Sequence, residues 1–256
     1  MLLAIDVGNS TTSLGLFRDE VLVHHWRLST RDARTADELA LDLFGFMRLE
    51  GVAPREDLTG VVVASVVPPV TTTLEQLIDE HLRVPAVVVA PGIRTGVALR
   101  YEDPREIGAD RIANAVATVE LYGGPAIAVD FGTSTNFDAI DRSGAFVGGA
   151  IAPGVAISTE ALVDRAAQLP EVVATRPPSP IGRTTVQAIQ SGIVHGFAGQ
   201  VDAIVTAIAH ELGPGVSTVA TGGGMASAVL EACSTIDHHD PFLTLKGLRI
   251  IWSRNQ

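Results

Sequence analysis

Leu2-Leu3-Ala4-Ile5-Asp6-Val7-Gly8-Asn9-Ser10-Thr11 returns later in the chain as Ala126-Ile127-Ala128-Val129-Asp130-Phe131-Gly132-Thr133-Ser134-Thr135, at a constant offset of 124 (130 − 6 and 132 − 8). Each copy is an apolar run into Asp-x-Gly-x-Ser-Thr, followed by a second apolar stretch, Leu14 to Phe17 or Phe137 to Ile140. A strand, a tight glycine turn and a returning strand predict a hairpin in each half. In a single copy, Asp-Gly and Asn-Ser are ordinary turn residues. Duplication favours a chemical reading. Glycine turns backbone N–H groups outward, Ser and Thr add hydroxyl donors, and the Asp can organise a cation or its water shell. Two such turns can grip a polyphosphate from both sides without a lysine.

Working outward, the first hairpin is followed by a third strand, Val21 to Leu28. A helix comes next, opened by the capping box Thr35 and Glu38, with Leu39, Leu43, Phe46 and Met47 on one side. Gly51 lies just past its end. Val61 to Val67 reads as a buried strand, Val70 to Leu82 as a helix and Ala86 to Val89 as a strand. The second hairpin is followed by a strand near Ala145 to Ala150 and by helices from Pro153 to Leu169 and Thr184 to Leu212. A strand from Val216 to Thr221 then meets Gly222-Gly223-Gly224 and another helix. A helix from Asp110 to Tyr122 ends at Gly123-Gly124-Pro125, which divides the chain into residues 1–122 and 123–256. The expected fold is α/β, two duplicated lobes with mixed sheets flanked by helices.

Composition narrows the function. The 256 residues carry 18 basic and 29 acidic side chains, a net charge of −11, with 46% hydrophobic and 18% charged residues. That is an ordered globular chain with material for two compact domains, and its acidity opposes broad binding to nucleic acid or anionic membrane. Cys233 stands alone, which excludes a disulfide framework and a cysteine zinc cluster. The first residues lack a basic region, so no signal peptide is expected, and the apolar run Val61 to Val67 is too short to cross a bilayer. A cytoplasmic protein is the expectation. Lys246 is the only lysine, and its context, Thr244-Leu245-Lys246-Gly247, is neither a P-loop nor the early kinase strand.

Two further stretches carry chemistry. Thr221-Gly222-Gly223-Gly224-Met225 joins a strand to a helix, where glycines let a flat ring lie on backbone and a helix N-terminus faces negative charge. The plainer alternative is a loose connecting loop. Gly108-Ala109-Asp110-Arg111 opens the helix before the second hairpin. Asp110 there can accept a hydroxyl proton while Arg111 fixes an anion through two prongs, or Asp110 can simply cap the helix. His24-His25 lies in a strand, where neighbours point apart, and His238-His239-Asp240 reads as a solvated loop. His195, within its long helix, is expected to be packed or capped by a local hydrogen bond. The apolar helix from Thr184 to Leu212 has few charges, so part of it is expected to face a partner subunit.

Motif order over the whole chain resembles the acetate and sugar kinase/Hsp70/actin superfamily, which implies actin-like (ribonuclease H-like) lobes. Asp6-Val7-Gly8-Asn9-Ser10, Gly108-Ala109-Asp110-Arg111, Asp130-Phe131-Gly132-Thr133, Gly149-Ala150-Ile151-Ala152-Pro153-Gly154, Gly182-Arg183-Thr184-Thr185 and Ala188-Ile189-Gln190-Ser191-Gly192 resemble type III pantothenate kinase. The resemblance implies a transferase that phosphorylates pantothenate with ATP, the first step toward coenzyme A. It implies that Asp6, Val7, Gly8, Asn9, Ser10, Thr11, Thr12 and Ser13 form an ATP phosphate loop, with Thr133, Gly222 and Gly223 also meeting ATP. Asp110 is the implied catalytic base, and Tyr101, Gly108, Ala109, Asp110, Arg111 and Thr185 the implied pantothenate contacts. Asp130 is the implied holder of K⁺ or NH₄⁺, Asp6 meets Mg²⁺ through water, and the implied assembly is a homodimer. Ser10, Asn136, Asp103 and Thr184 depart from the commonest residues of the pattern. The last leaves open whether Thr184 or Thr185 faces substrate. Two rivals remain at this point, another small-molecule kinase or phosphatase of the superfamily and a regulatory relative without turnover.

Overall fold

The computed structural model describes residues 1–166 and 169–256. They form two compact units: Met1–Gly96 with Glu102–Ala117 and Leu243–Gln256, and Val97–Tyr101 with Thr118–Phe242.

In the first unit, β1 (Leu2–Val7), β2 (Thr11–Arg18) and β3 (Val21–Ser29) form an antiparallel meander. On the other side of β1, β4 (Gly60–Ser65) and β5 (Ala86–Val88) run parallel to it, giving the order β3-β2-β1-β4-β5. Alternation sends Leu3, Ile5, Val7, Leu14, Leu16, Val61 and Val63 to one face, and all of them are buried. Against that face lie α1 (Ala36–Leu49) and α3 (Pro68–Leu77), the latter continued by a π-helical turn at Ile78–Leu82; a short α2 (Pro54–Asp57) precedes β4. The expected capping box is present: Glu38 N donates to Thr35 Oγ1 (3.3 Å), and Thr35 N donates to Glu38 Oε2 (2.8 Å). Leu43 and Met47 are buried, with Leu39 and Phe46 packed at the rim.

α4 (Ala109–Tyr122) starts in the first unit, and its last residues belong to the second. Helix α8 (Leu243–Arg254), absent from the sequence expectation, packs on β1 and β4. Thr244 Oγ1 on it donates to Asn114 Oδ1 on α4 (2.7 Å), both buried.

The second unit repeats the topology strand for strand. β6 (Ala126–Phe131), β7 (Ser134–Ile140) and β8 (Phe146–Pro153) are antiparallel, while β9 (Ser217–Gly222) and β10 (His238–His239) run parallel to β6, in the order β10-β9-β6-β7-β8. Its core is closed by α5 (Val155–Arg165) and α6 (Thr185–Leu212), with a short α7 (Ser227–Leu230) after β9. Positions 167 and 168 of the helix expected to reach Leu169 lie outside the described residues.

The repeat is not uniform through the turn. β1 pairs Val7 with Thr12, whereas β6 pairs Phe131 with Thr135, so the equivalence after the turn is 123 (135 − 12) rather than 124. The first turn has three residues outside the strands, Gly8 to Ser10, and the second has two, Gly132 and Thr133. Two observations support this register: Thr12 and Thr135 are both buried, and the bulges at Leu16/Phe17 and Ala139/Ile140 coincide under the same offset.

Two local expectations need correction. His238-His239 is an edge strand rather than a loop, because Asp240 N donates to the Ala220 carbonyl (2.9 Å) and its carboxylate accepts from Phe242 N (3.1 Å). Asp240 is therefore buried, not solvated. His195 is exposed, since α6 buries Val194, Ala198, Val201 and Val205 instead.

Asp202 on α6 staples the loop before β10. It accepts from the N–H and hydroxyl of Ser234 (2.9 and 2.7 Å) and of Thr235 (3.0 and 2.8 Å). Burial pushes its carboxyl up, but these donors outweigh burial and hold it below the usual carboxylate range. A depressed folded-state pKa gives stability that is present above the unfolded value of about 3.9 and lost as pH falls through the folded one. Asp202→Ala is expected to cost about 1–3 kcal/mol at neutral pH. In urea melts, the gap to the parent should close as pH drops below about 4.

Candidate active site

The first turn lies at the C-terminal end of β1. Asn9 and Ser10 are exposed at its tip, while Asp6 and Ser13 are cross-strand partners and so share one face. Gly8 N donates to the Thr11 carbonyl (3.0 Å), which closes the turn. Thr30, just past β3, is bound to it three times. Its N–H donates to the Ser10 carbonyl (3.1 Å) and its hydroxyl to the Gly8 carbonyl (2.8 Å). With that proton committed, Thr12 Oγ1 donates to Thr30 Oγ1 (2.9 Å). The sequence did not single out Thr30.

In the same unit, Asp110 stands in the first turn of α4, where the helix dipole favours a carboxylate. Its Oδ1 accepts from the N–H of Arg111 (2.8 Å), and no hydrogen bond to Oδ2 forms among the described residues. Both readings of Asp110 are thus compatible, one oxygen serving the helix and the other open to a substrate. A side chain at Gly108 would collide with Asp110 Oδ1, which explains the glycine before the acid. Arg111 is buried, 6% exposed. Ahead of them, Arg105 Nε and Nη2 fork onto the Asp103 carboxylate (2.9 and 2.8 Å), holding that exposed carboxyl below the usual range.

The second unit carries Tyr101, Asp130, Thr133, Thr185, Gly222 and Gly223. Three of these come together: Asp130 is the penultimate residue of β6, Thr133 lies in the turn, and Gly222 on β9 pairs with Phe131. Gly222, Gly223 and Gly224 have φ of +77°, +139° and +60°, so the run needs glycine throughout. A Cβ on Gly222 would sit 2.5 Å from the Phe131 carbonyl oxygen and 3.1 Å from Asp130 Oδ1. The loop leads into a 3₁₀ turn and the four-residue α7 rather than the full helix expected, so a helix dipole adds little there. Behind the turn, Gly154 N donates to the Thr133 carbonyl (3.1 Å). Tyr101 packs obliquely on Phe146, ring centres 6.0 Å apart. Thr184 caps α6 by accepting from Gln187 N (3.2 Å), whereas Thr185 lines a cavity of about 400 Å³ with Leu162, Ile189, Ile193 and Phe197.

One acid escaped the sequence reading. Asp138 lies inside the apolar stretch Phe137 to Ile140, is fully buried, and shares a sheet face with Asp130 and Asn136 by register. An aspartate interrupting an apolar strand was the available signal.

Comparison with known proteins decides the family. Residues 2–207 match the sequence model of type III pantothenate kinase, a span that holds every expected site residue except Gly222 and Gly223. The type III pantothenate kinase of Streptomyces avermitilis is 52% identical over 261 residues, covering 100% of this chain and 98% of the relative. The chain belongs to the type III pantothenate kinase family. The Moorella thermoacetica type III pantothenate kinase is 50% identical, with 100% of both chains covered. Solved structures agree on the fold. An activator of 2-hydroxyisocaproyl-CoA dehydratase from Clostridium difficile with bound ADPNP has a TM-score of 0.54 at 12% identity, covering 97% of this chain and 92% of its own. Type III pantothenate kinases are kinases, and this member has the two mixed-sheet, helix-flanked lobes of the actin-like and sugar-kinase fold.

Proposed function

We propose that this chain transfers the γ-phosphoryl group of ATP to the primary hydroxyl of pantothenate, giving 4′-phosphopantothenate, the first step of coenzyme A biosynthesis. The observation that carries this is 52% identity to a type III pantothenate kinase along the entire chain. The turn Asp6 to Ser13 and the helix start Gly108 to Arg111 fit that activity.

In the first lobe, read as residues 1–122, the N–H groups of Gly8 to Ser13 and the hydroxyls of Ser10, Thr11 and Ser13 bind ATP phosphate oxygens, the Thr12 hydroxyl being committed to Thr30. Asp6 meets the water shell of the Mg²⁺ that arrives with ATP. Asp110 Oδ2 takes the hydroxyl proton as the substrate oxygen bonds to the γ-phosphorus. The bond to the β-phosphate oxygen breaks, and ADP leaves with its electron pair. Gly108 and Ala109 bring backbone to the substrate, and Arg111 pairs with its carboxylate.

In the second lobe, read as residues 123–256, Thr133 meets the phosphates, and Gly222 and Gly223 lie against adenosine. Tyr101, outside that range but packed with the second compact unit, and Thr185 complete the pantothenate contacts, Thr185 being favoured because the Thr184 hydroxyl is spent on the helix cap. The Asp130 carboxylate and the Phe131 carbonyl, both close to where a Gly222 side chain would stand, are hard oxygens of the kind that suit K⁺ or NH₄⁺. Such a cation neutralises phosphate charge when bound. With pantothenate saturating and MgATP varied, replacing K⁺ by Na⁺ is expected to lower kcat/KM for ATP sharply. An equal rate in both salts contradicts the assignment to Asp130.

We read the enzyme as a cytoplasmic homodimer. α6 is long and apolar enough to cross a membrane by length and composition. Its buried side fills the core under β6 and β7, and exposed Ile157, Leu162 and Val186 on α5 and α6 supply an apolar face for a second copy.

A further inference from the structure

The two phosphate turns differ by one residue, and the difference is filled at one position. Strand pairing matches Ser29 to Thr11 in the first lobe and Pro153 to Ser134 in the second. The next residue, Thr30 or Gly154, then makes the same backbone bond in both. Thr30 N donates to the Ser10 carbonyl and Gly154 N to the Thr133 carbonyl, each at 3.1 Å. Thr30 and Gly154 are therefore equivalent positions with opposite chemistry. Beside the two-residue turn there is no room for a side chain, since a Cβ on Gly154 would lie 2.6 Å from the Gly132 carbonyl oxygen. Beside the three-residue turn there is room, and the Thr30 hydroxyl occupies it.

We infer that Thr30 is a positioning residue that sets the shape of the first phosphate turn, and through it the affinity for the nucleotide phosphates. The hydroxyl relay runs one way. Thr12 donates to Thr30, which donates to the Gly8 carbonyl (2.9 and 2.8 Å). Pinning that carbonyl fixes the peptide between Gly8 and Asn9, and so the direction of the Asn9 N–H at the exposed tip. The Thr30 N–H fixes the other end of the turn at Ser10. An added turn residue brings added freedom, which the relay removes before the ligand arrives. Thr30 itself need not touch substrate.

The inference rests on Gly8 to Ser13 being the phosphate turn, and its test separates the two. Thr30→Val keeps the shape and removes the relay; Thr30→Ser keeps the relay. Thr30→Val is expected to weaken the Kd for a non-hydrolysable ATP analogue about tenfold. KM for ATP should rise in parallel, with KM for pantothenate within about twofold of the parent. Thr30→Ser should restore the analogue Kd to within about twofold. Thr30→Val with parental nucleotide affinity, or Ser and Val variants equally impaired, overturns the positioning role. Should Thr30→Val fail to fold, the pair Thr12→Val and Thr12→Ser carries the same comparison from the other end of the relay. The double variant Asn9→Ala/Ser10→Ala tests the reading beneath. If it leaves nucleotide affinity unchanged, the phosphate-turn assignment fails. If it weakens affinity while the Thr30 variants do not, only the relay fails.

Discussion

Asp110→Asn is expected to fold, to bind ATP as the parent does, and to lose about two to four orders of magnitude in kcat. The substitution is nearly isosteric. Its amide oxygen can still accept from the N–H of Arg111, as Oδ1 does at 2.8 Å, so the first turn of α4 keeps its cap. What disappears is basicity at the second oxygen, which forms no hydrogen bond among the described residues. A helix-capping role alone predicts the opposite pattern, a small loss of stability with turnover kept. Melting temperature and kcat measured on one preparation therefore separate the two. A variant with near-parental kcat removes Asp110 from the chemistry.

Gly154→Ala is expected to lower kcat/KM for ATP by about a hundredfold, the scale on which a misplacement near 1 Å acts. The backbone is not the reason. At φ −72° and ψ 164° any residue is at ease there. The added methyl instead meets the carbonyl oxygens of Gly132 and Thr133, with the former only 2.6 Å away. Both belong to a two-residue turn that cannot give way without moving, so the turn proposed to meet the phosphates shifts. Gly45→Ala on α1, where nothing lies within 4 Å of the new methyl, is the control. It should leave kinetics unchanged and add up to about 1 kcal/mol of stability through helix propensity. Equal kinetics for the two variants would show that the second turn does not need its present position.

Both hairpins were legible because Asp-x-Gly-x-Ser-Thr constrains backbone and chemistry together, and the strands beside it are apolar on both faces. The capping box at Thr35 and Glu38 located α1 for a similar reason, two side chains satisfying two named donors. The turn lengths were not legible. Identical letters on both sides of Gly8 and Gly132 gave an offset of 124, and only strand pairing shows that the second turn closes one residue sooner. Thr30 was invisible for the same cause, since its role depends on room opened by that difference. Helix α8 buries Leu243, Leu245, Leu248, Ile250 and Ile251, but it was missed because Gly247 interrupts it and the chain before it, His238-His239-Asp240-Pro241, reads as a loop. His238-His239 pairs through two residues, fewer than any alternation pattern can reveal. Among site residues, the glycines at 108, 154 and 222 each answer to a close contact, and the sequence could report their presence but not the atoms they spare.

The most direct test of the central claim is a steady-state assay with pantothenate as acceptor, in MgATP and K⁺, following ADP release and identifying the product by mass spectrometry and phosphorus NMR. Release of one ADP per 4′-phosphopantothenate formed, abolished in Asp110→Asn, is the predicted result. Turnover on another small alcohol or sugar with none on pantothenate, or nucleotide binding without any phosphorylated product, would contradict it.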